Sequence, residues 1–208
     1  MSMPANRSIE FFDTQFRRQI AAGELALNPF EQRALPYLRG RVLDLGCGLG
    51  NLAVAAARQG AQVLALDASP AAIEFLGERA RKERLSVETR CADLGTYAPK
   101  GQYDCVVCIG LLMFLPCETA RELLARAMAA VAPGGSMVLN VLVEGTTYLE
   151  MFDPRGYCLF TAREIADAFA GWHTLDNRIE DFPAPGGTIK RFCTIIAEPF
   201  QRPSGRTN

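Results

Sequence analysis

The sequence predicts one α/β domain with a doubly wound, mostly parallel sheet. Apolar runs rich in Val, Leu and Ile alternate with helical stretches from residue 41 to residue 143, a pattern typical of parallel strands covered by helices on both faces. The last third instead contains two strand-like runs joined by a short turn. A length of 208 residues fits a single domain, predicted here to span 1–200.

Each element carries its own local signal. Strands are predicted at 41–46, 62–67, 86–93, 103–110 and 136–143. Helices are predicted at 51–60, 69–85, 117–132 and 161–172. Ser69 and Pro70 are typical of an N-cap followed by the first helical position. Thr161 and Glu164 form a capping-box pattern, and Gly60 and the 133–135 Pro-Gly-Gly stretch end two helices.

The C-terminal third completes the sheet. Residues 174–182 and 189–199 are strand-like, and "PAPGG" (183–187) between them is a turn without room for a helix. An antiparallel hairpin therefore follows the five parallel strands, giving a Rossmann-like, seven-stranded sheet. The tail at 201–208 is predicted to be flexible.

Composition argues against several function classes. The formal net charge is −1, so the chain shows no electrostatic footprint for nucleic acid. It has no apolar run of 18 residues and no apolar core of a signal peptide near its first residues. We therefore expect no membrane partner and a cytoplasmic location.

The seven cysteines and the single histidine limit which metal and redox sites the chain can form. The odd cysteine number and the apolar surroundings of most of them favour free buried thiols over disulfides. Cys105 and Cys108 resemble a metal pair, but residues three apart on a strand face opposite sides. With a single histidine, His173, a multi-histidine site is excluded, and no metal is predicted.

The glycine-rich turn after the first strand selects among nucleotide-like ligands. Gly46, Gly48 and Gly50 alternate, whereas a dinucleotide fingerprint starting at Gly46 needs glycine at position 51, which is Asn51. Asp44 would repel a pyrophosphate and attract a cationic group such as an α-ammonium. Asp67, at the end of the next strand, suits two ribose hydroxyls. An ammonium, a ribose and no pyrophosphate describe S-adenosylmethionine.

At these residues the chain resembles the class I S-adenosylmethionine-dependent methyltransferases. The matching segments are "VLDLGCGLG" (42–50), "VLALD" (63–67), "CADL" (91–94), "YDCVVC" (103–108) and "APGG" (132–135). The resemblance implies a methyltransferase that uses S-adenosylmethionine and releases S-adenosylhomocysteine. It implies contacts with the methionine end of the cofactor at Asp44, Gly46, Cys47, Gly48 and Gly50. It implies contacts with ribose and adenine at Asp67, Ala68, Asp93 and Leu94. It implies contacts near the sulfonium at Ile109 and Gly110.

A narrower resemblance, to the tellurite-resistance methyltransferases, rests on three further segments. They are "LLMFLPCETARELLARAM" (111–128), "FTAREIADAFAGW" (160–172) and "IKRFCTIIAEP" (189–199). The family implies methyl transfer to a small soft nucleophile, such as a tellurite- or selenite-like oxyanion or a thiol, and an acceptor-facing role for Arg191. The family's hairpin histidine is missing from 178–188.

The acceptor side offers fewer signals. The long stretch 144–160 after the fifth strand contributes Tyr148 and Arg155, and with Arg191 these residues could bind an anionic acceptor. No catalytic base is evident. In the N-terminal segment, 1–35, apolar residues from Ile9 to Ile20 at helical spacing predict either a lid over the cofactor or a packing stripe.

The sequence leaves other functions open. A non-catalytic module that binds S-adenosylmethionine or S-adenosylhomocysteine would carry the same motifs. Methylation of RNA or protein is disfavoured by the absence of basic excess, and methylation of arsenite would need converging thiols. An NAD-dependent oxidoreductase conflicts with the glycine spacing and with Asp44.

Overall fold

The computed structural model of the protein describes residues 7–200, which leaves the predicted flexible tail outside the described residues. The helices are α1 (Arg7–Ala22), α2 (Pro29–Ala34), α3 (Asn51–Arg58), α4 (Pro70–Glu83), α5 (Cys117–Ala129) and α6 (Ala162–Ala168). The strands are β1 (Arg41–Leu45), β2 (Gln62–Asp67), β3 (Val87–Cys91), β4 (Tyr103–Ile109), β5 (Val131–Leu142), β6 (Trp172–Pro183) and β7 (Ile189–Pro199).

The strands form one seven-stranded sheet in the order β3-β2-β1-β4-β5-β7-β6. Strands β1 to β5 are parallel to one another, and β7 runs antiparallel to both β5 and β6. The predicted Rossmann-like fold with its C-terminal hairpin is therefore confirmed. Because the chain order reverses between β1 and β4, a crevice opens at the carboxyl ends of these two strands, where ligands bind in such sheets.

Two apolar clusters cover the two faces of the sheet. Cys105 lies in the cluster with Val42, and Cys108 lies in the opposite one with Leu43. This separation confirms that the two cysteines cannot share one metal ion. Burial raises the pKa of the Cys105 thiol to about 12 and also raises that of Cys108, so both remain protonated core side chains.

The fifth strand begins earlier than predicted. Helix α5 ends at Ala129, and β5 runs through the Pro-Gly-Gly stretch instead of starting after it. Val131 pairs with Tyr103, and an irregularity in the ladder follows before Ser136 pairs with Cys105. A Cβ at Gly135 would lie 2.8 Å from the Asp104 carbonyl oxygen, so the close approach of the two strands needs glycine there.

Helix α2 was not predicted from the sequence, although its signals are present. Asn28 and Glu31 form a reciprocal capping box around Pro29 at the first helical position. The helix packs Phe30 against Phe192 with ring centroids 4.7 Å apart. It is held to the C-terminal hairpin by an ion pair between Arg33 and Glu180.

The expectation that all cysteines are free is wrong for Cys117 and Cys158, which form a disulfide. The segment 144–160 returns over the start of α5, and the two Cα atoms lie 4.6 Å apart although 41 residues separate them in sequence. The two cysteines meet only because the segment 144–160 packs over α5, and no pattern in the sequence indicates this packing. The other five cysteines are free.

Within residues 7–200, no helix is both long and apolar enough to cross a membrane.

Candidate functional site

A cavity of about 560 Å³ opens at the carboxyl ends of the central strands. Its walls come from the turns after β1, β2 and β4, from α1 and α2, and from the ends of β5 and β7. Nine of the residues predicted to bind the cofactor line it, namely Asp44, Gly46, Cys47, Gly48, Gly50, Asp67, Asp93, Ile109 and Gly110. Ala68 and Leu94 lie outside the lining, next to Asp67 and Asp93 in the chain.

The glycine-rich turn is held by backbone hydrogen bonds. The N–H groups of Gly46 and Cys47 both donate to the Leu66 carbonyl oxygen, at 2.8 and 2.9 Å. Gly48 adopts a φ of +52°, and a Cβ there would lie 3.1 Å from the Phe16 ring. Glycine is therefore needed both for the left-handed backbone and for the close approach of α1.

Asp44 is the most perturbed carboxyl group of the cavity. It is 4% exposed, and no donor within residues 7–200 hydrogen-bonds its side chain. Burial, followed by the nearby carboxylates of Glu31 and Asp67, raises the pKa of Asp44 to about 8. A buried carboxylate without a protein donor is costly, so the site favours a ligand that brings its own positive charge.

Asp67 connects the ends of β1 and β2. Its Oδ2 accepts from the Gly48 N–H at 2.8 Å, and its Oδ1 accepts from the Ser69 N–H at 2.9 Å. Burial raises the pKa of Asp67 in spite of these bonds, which act in the opposite direction. The exposed Asp93 accepts from the Gly95 N–H at 2.9 Å in a local turn. Each carboxylate keeps lone pairs that can accept from a ligand.

Helix α1 forms the wall opposite the glycine turn. Its Asp13 accepts a hydrogen bond of 2.7 Å from the Ser69 hydroxyl, which also caps α4. Phe12 packs edge-on against Phe114, with centroids 4.7 Å apart. The apolar stripe predicted in this segment therefore faces the cavity, and the helix is fixed at both the β2 and the β4 ends.

Of the three predicted acceptor residues, only Tyr148 lines the cavity. Arg155 pairs with Asp153 at 2.6 Å, and Arg191 makes two hydrogen bonds to Asp181 at 2.7 and 2.8 Å. The structure does not bring these two guanidinium groups into the cavity lining.

The cavity contains polar groups that sequence reasoning missed, on α2, β5 and β7. Glu31 lines it, and burial raises the pKa of this carboxyl group. Asn140 is 1% exposed, and its Oδ1 has no hydrogen-bond partner in the described part of the chain. Lys190 lines the cavity, and burial lowers the pKa of its ammonium group. Alternation along a strand places Lys190 and Arg191 on opposite faces of β7, so only one of them can face the cavity.

Comparisons with known proteins agree with this geometry. Residues 42–135 match the protein family described as a methyltransferase domain. A ubiquinone biosynthesis O-methyltransferase from Bradyrhizobium sp. (strain ORS 278) is 30% identical over 169 residues, which cover 75% of this chain and 66% of the relative. The chain spans about three fifths of the length of the curated relatives it matches.

Two solved structures share the fold. TehB from Haemophilus influenzae superposes with a TM-score of 0.72 at 21% identity, covering 84% of this chain and 63% of TehB. The Burkholderia thailandensis 1,6-didemethyltoxoflavin-N1-methyltransferase, solved with its namesake ligand and S-adenosylhomocysteine, gives 0.63 at 18% identity and covers 97% and 93%. With its glycine turn, its strand order and this family match, the chain belongs to the class I methyltransferases, whose cofactor is S-adenosylmethionine.

Proposed function

We propose that this protein transfers the methyl group of S-adenosylmethionine to a hydroxyl oxygen of a small molecule. The observation that carries the proposal is Asp44, a buried carboxylate without a protein donor, in a cavity lined by the glycine turn. S-adenosylmethionine, when bound, supplies an α-ammonium for this carboxylate and a methyl group already activated by its sulfonium.

Residues of this chain bind and orient the cofactor. Asp44 and the turn from Gly46 to Gly50 hold the methionine end. Asp67 accepts from the ribose hydroxyls, and Asp93 accepts from the adenine amino group. Ile109 and Gly110 line the sulfonium side. The residues thus supply proximity and alignment, which is the main demand of an in-line methyl displacement.

An oxygen nucleophile is supported by the curated relatives, which are named O-methyltransferases. A hydroxyl acceptor must lose its proton as the new carbon–oxygen bond forms and the carbon–sulfur bond breaks. Glu31 can receive that proton. Its Oε2 is occupied by the Asn28 N–H at 2.8 Å, which leaves its Oε1 for the cavity. The proton then passes to solvent, and S-adenosylhomocysteine is released.

A soft nucleophile is the second candidate. The fold similarity to TehB supports it, and a tellurite- or selenite-like oxyanion or a thiol needs no base. Glu31 distinguishes the two candidate acceptors, because only a hydroxyl acceptor requires it as a base.

We propose in addition that α1 acts as a lid within a single domain spanning 1–200. The support is that α1 lines the cavity and is attached to the sheet side of the site through side-chain contacts, such as Asp13 to Ser69 and Phe12 to Phe114. The helix also carries Phe16 against the glycine turn, so a bound ligand would touch it directly.

Calorimetric titration with S-adenosylmethionine, S-adenosylhomocysteine and NADH tests the cofactor assignment. We expect binding of the first two at micromolar concentrations and none of NADH. Release of S-adenosylhomocysteine is then followed with catechol and with selenite. Turnover of catechol that Glu31→Gln slows at least tenfold supports the oxygen acceptor. Turnover of selenite alone, unaffected by Glu31→Gln, favours the soft nucleophile. Binding without any turnover favours a non-catalytic module.

A further inference from the structure

We propose that Asn140, Phe192 and Lys190 form an acceptor subsite for an aromatic ring bearing both the hydroxyl to be methylated and a carboxylate at its far end. This inference rests on the proposed function and gives its acceptor a chemical class. The three side chains line one cavity wall, in the order hydrogen-bond acceptor, apolar ring and cation.

Asn140 stands beside the strand end predicted to flank the sulfonium. It is the register partner of Ile109, and its carbonyl oxygen accepts from the Gly110 N–H at 2.9 Å. Its amide Nδ2 donates to the Thr194 hydroxyl at 2.8 Å, which fixes the side chain. The Oδ1 of this buried residue has no partner among residues 7–200. An unpaired buried acceptor is costly, and a hydroxyl group on the ligand would satisfy it.

Phe192 supplies an apolar surface next to Asn140. Thr194 pairs with Asn140 and Phe192 with Leu142, so the side chains of residues 190, 192 and 194 share one face of β7. Phe30 packs against Phe192 from α2, and both rings line the cavity. A flat aromatic ligand is the shape that two such side chains accommodate.

Lys190 provides an uncompensated positive charge at the far end of this wall. Its Nζ lies 4.9 Å from the centroid of the Tyr148 ring, and no carboxylate of the described chain pairs with it. The neighbouring Arg191, on the other face, is neutralised by Asp181. At about 3.3 Å per residue, Lys190 lies roughly 13 Å along β7 from Thr194, so its flexible side chain leaves room for one ring in between.

The position of Lys190 argues against a role in holding the cofactor's own carboxylate. The methionine end belongs to the turn after β1, whereas Lys190 is on β7, three strands away across the sheet. At about 4.8 Å per strand, this separation is roughly 14 Å. Asp44, Asp67 and Glu31 lie close enough for their charges to interact. Lys190 is the only cationic side chain among the described residues that line the cavity, which directs an anionic group towards it.

Two probe molecules that differ only in the carboxylate test the subsite. 3,4-dihydroxybenzoate and catechol are titrated into the protein saturated with S-adenosylhomocysteine, and both are assayed for methyl transfer. We expect the benzoate to bind at least tenfold more tightly, as a charge-assisted contact implies. Lys190→Met should reduce this preference to within about twofold and leave the affinity for S-adenosylhomocysteine unchanged.

Two comparison variants distinguish recognition of the carboxylate by Lys190 from a general loss of structure. Arg191→Met replaces the adjacent cation on the opposite face, and we expect it to preserve the preference for the benzoate. Asn140→Ala should lower kcat/KM for both probes by about tenfold while preserving the preference, because it removes the shared hydroxyl contact. A melting temperature measured for each variant identifies any that fail to fold.

Several outcomes would overturn the inference. They are equal binding of the two probes, binding of neither to the complex with S-adenosylhomocysteine, loss of cofactor affinity in Lys190→Met, or an equal effect of Arg191→Met. In each case bound S-adenosylhomocysteine leaves the proposed methyltransferase function intact. Failure of S-adenosylhomocysteine itself to bind would count against that function, and the first titration detects this before any acceptor is added.

Discussion

The two ends of the cavity are built in opposite ways. The cofactor end consists of short turns directly after β1, β2 and β3, and each group there lies within a few residues of its strand. The proposed acceptor end combines α2, β5 and β7, so Phe30 and Phe192 pack together although they lie far apart in the sequence. Chemistry that a local turn supplies is visible in a sequence, whereas chemistry that assembles through tertiary packing is not.

The largest expected effect concerns the disulfide between the start of α5 and the segment 144–160, whose two cysteines lie outside the cavity lining. Reducing the Cys117–Cys158 bond, or introducing Cys158→Ser, should lower the free energy of unfolding by up to about 4 kcal/mol, since the bond closes a loop of 41 residues. Urea denaturation with and without reductant measures the loss. Affinity for S-adenosylhomocysteine should stay the same, and a parallel fall would show that the loop closed by the disulfide is coupled to the cofactor end.

Gly50→Ala addresses the cofactor end. Gly50 has a φ of +68°, and a Cβ there would lie 2.4 Å from Leu76 side-chain atoms. Left-handed backbone and overpacking together should cost about 2–5 kcal/mol of stability. Gly60→Ala is the matched control, because Gly60 also has positive φ but no atom within 4 Å. Equal destabilisation by the two substitutions would mean that the contact with Leu76 is unimportant.

Asp44→Asn removes the charge of the buried carboxylate while keeping its shape. We expect affinity for S-adenosylhomocysteine to fall about 30- to 100-fold, the value of a buried charge-assisted hydrogen bond. Asp93→Asn, at an exposed position of the same end, should cost less than fivefold, since water competes there. Calorimetry on both variants decides the ranking, and a larger loss from Asp93→Asn would contradict it.

The pH dependence of binding and stability should follow from the same carboxyl group. Folded Asp44 keeps its proton up to about pH 8, whereas the unfolded chain loses it near pH 4. This group therefore stabilises the ligand-free protein in acid, and its contribution declines as pH rises from about 4 to 8. Binding of an ammonium needs the ionised form, so affinity should rise about tenfold from pH 6 to pH 7.

The smallest expected effect is the shift that Glu31→Gln causes in this pH profile of affinity. Glutamine preserves the capping box of α2 but removes a charge that raises the pKa of Asp44. The midpoint of the affinity profile should shift to lower pH by less than about one unit. Asp44→Asn should abolish the profile in the same titration, and a profile unchanged by both substitutions would exclude Asp44 as the titrating group.

Predictions from the sequence follow the same division. The individual strands, the hairpin and the glycine turn have local signals, and the structure confirms the fold that was predicted from them. The assigned cofactor contacts stay predictions, although most of those residues share one cavity. The family resemblance predicted an acceptor-facing role for Arg191, but Lys190 lines the cavity instead. The sequence did not show this, because the face of a strand that meets a cavity depends on its neighbours. The Cys117–Cys158 pair also lacked a signal, since only the path of the loop 144–160 brings it together.

The attachment of α2 to the hairpin has a consequence for how this scaffold can diversify. Arg33 pairs with Glu180 and Phe30 packs on Phe192, so these two elements brace each other and not the glycine turn. We therefore expect substitutions at 183–192, or at 29–34 with Glu31 retained, to change which molecule is modified and to leave the glycine turn unaltered, whereas Glu31 also influences Asp44. A laboratory library confined to these two short segments would search new chemistries without rebuilding the enzyme.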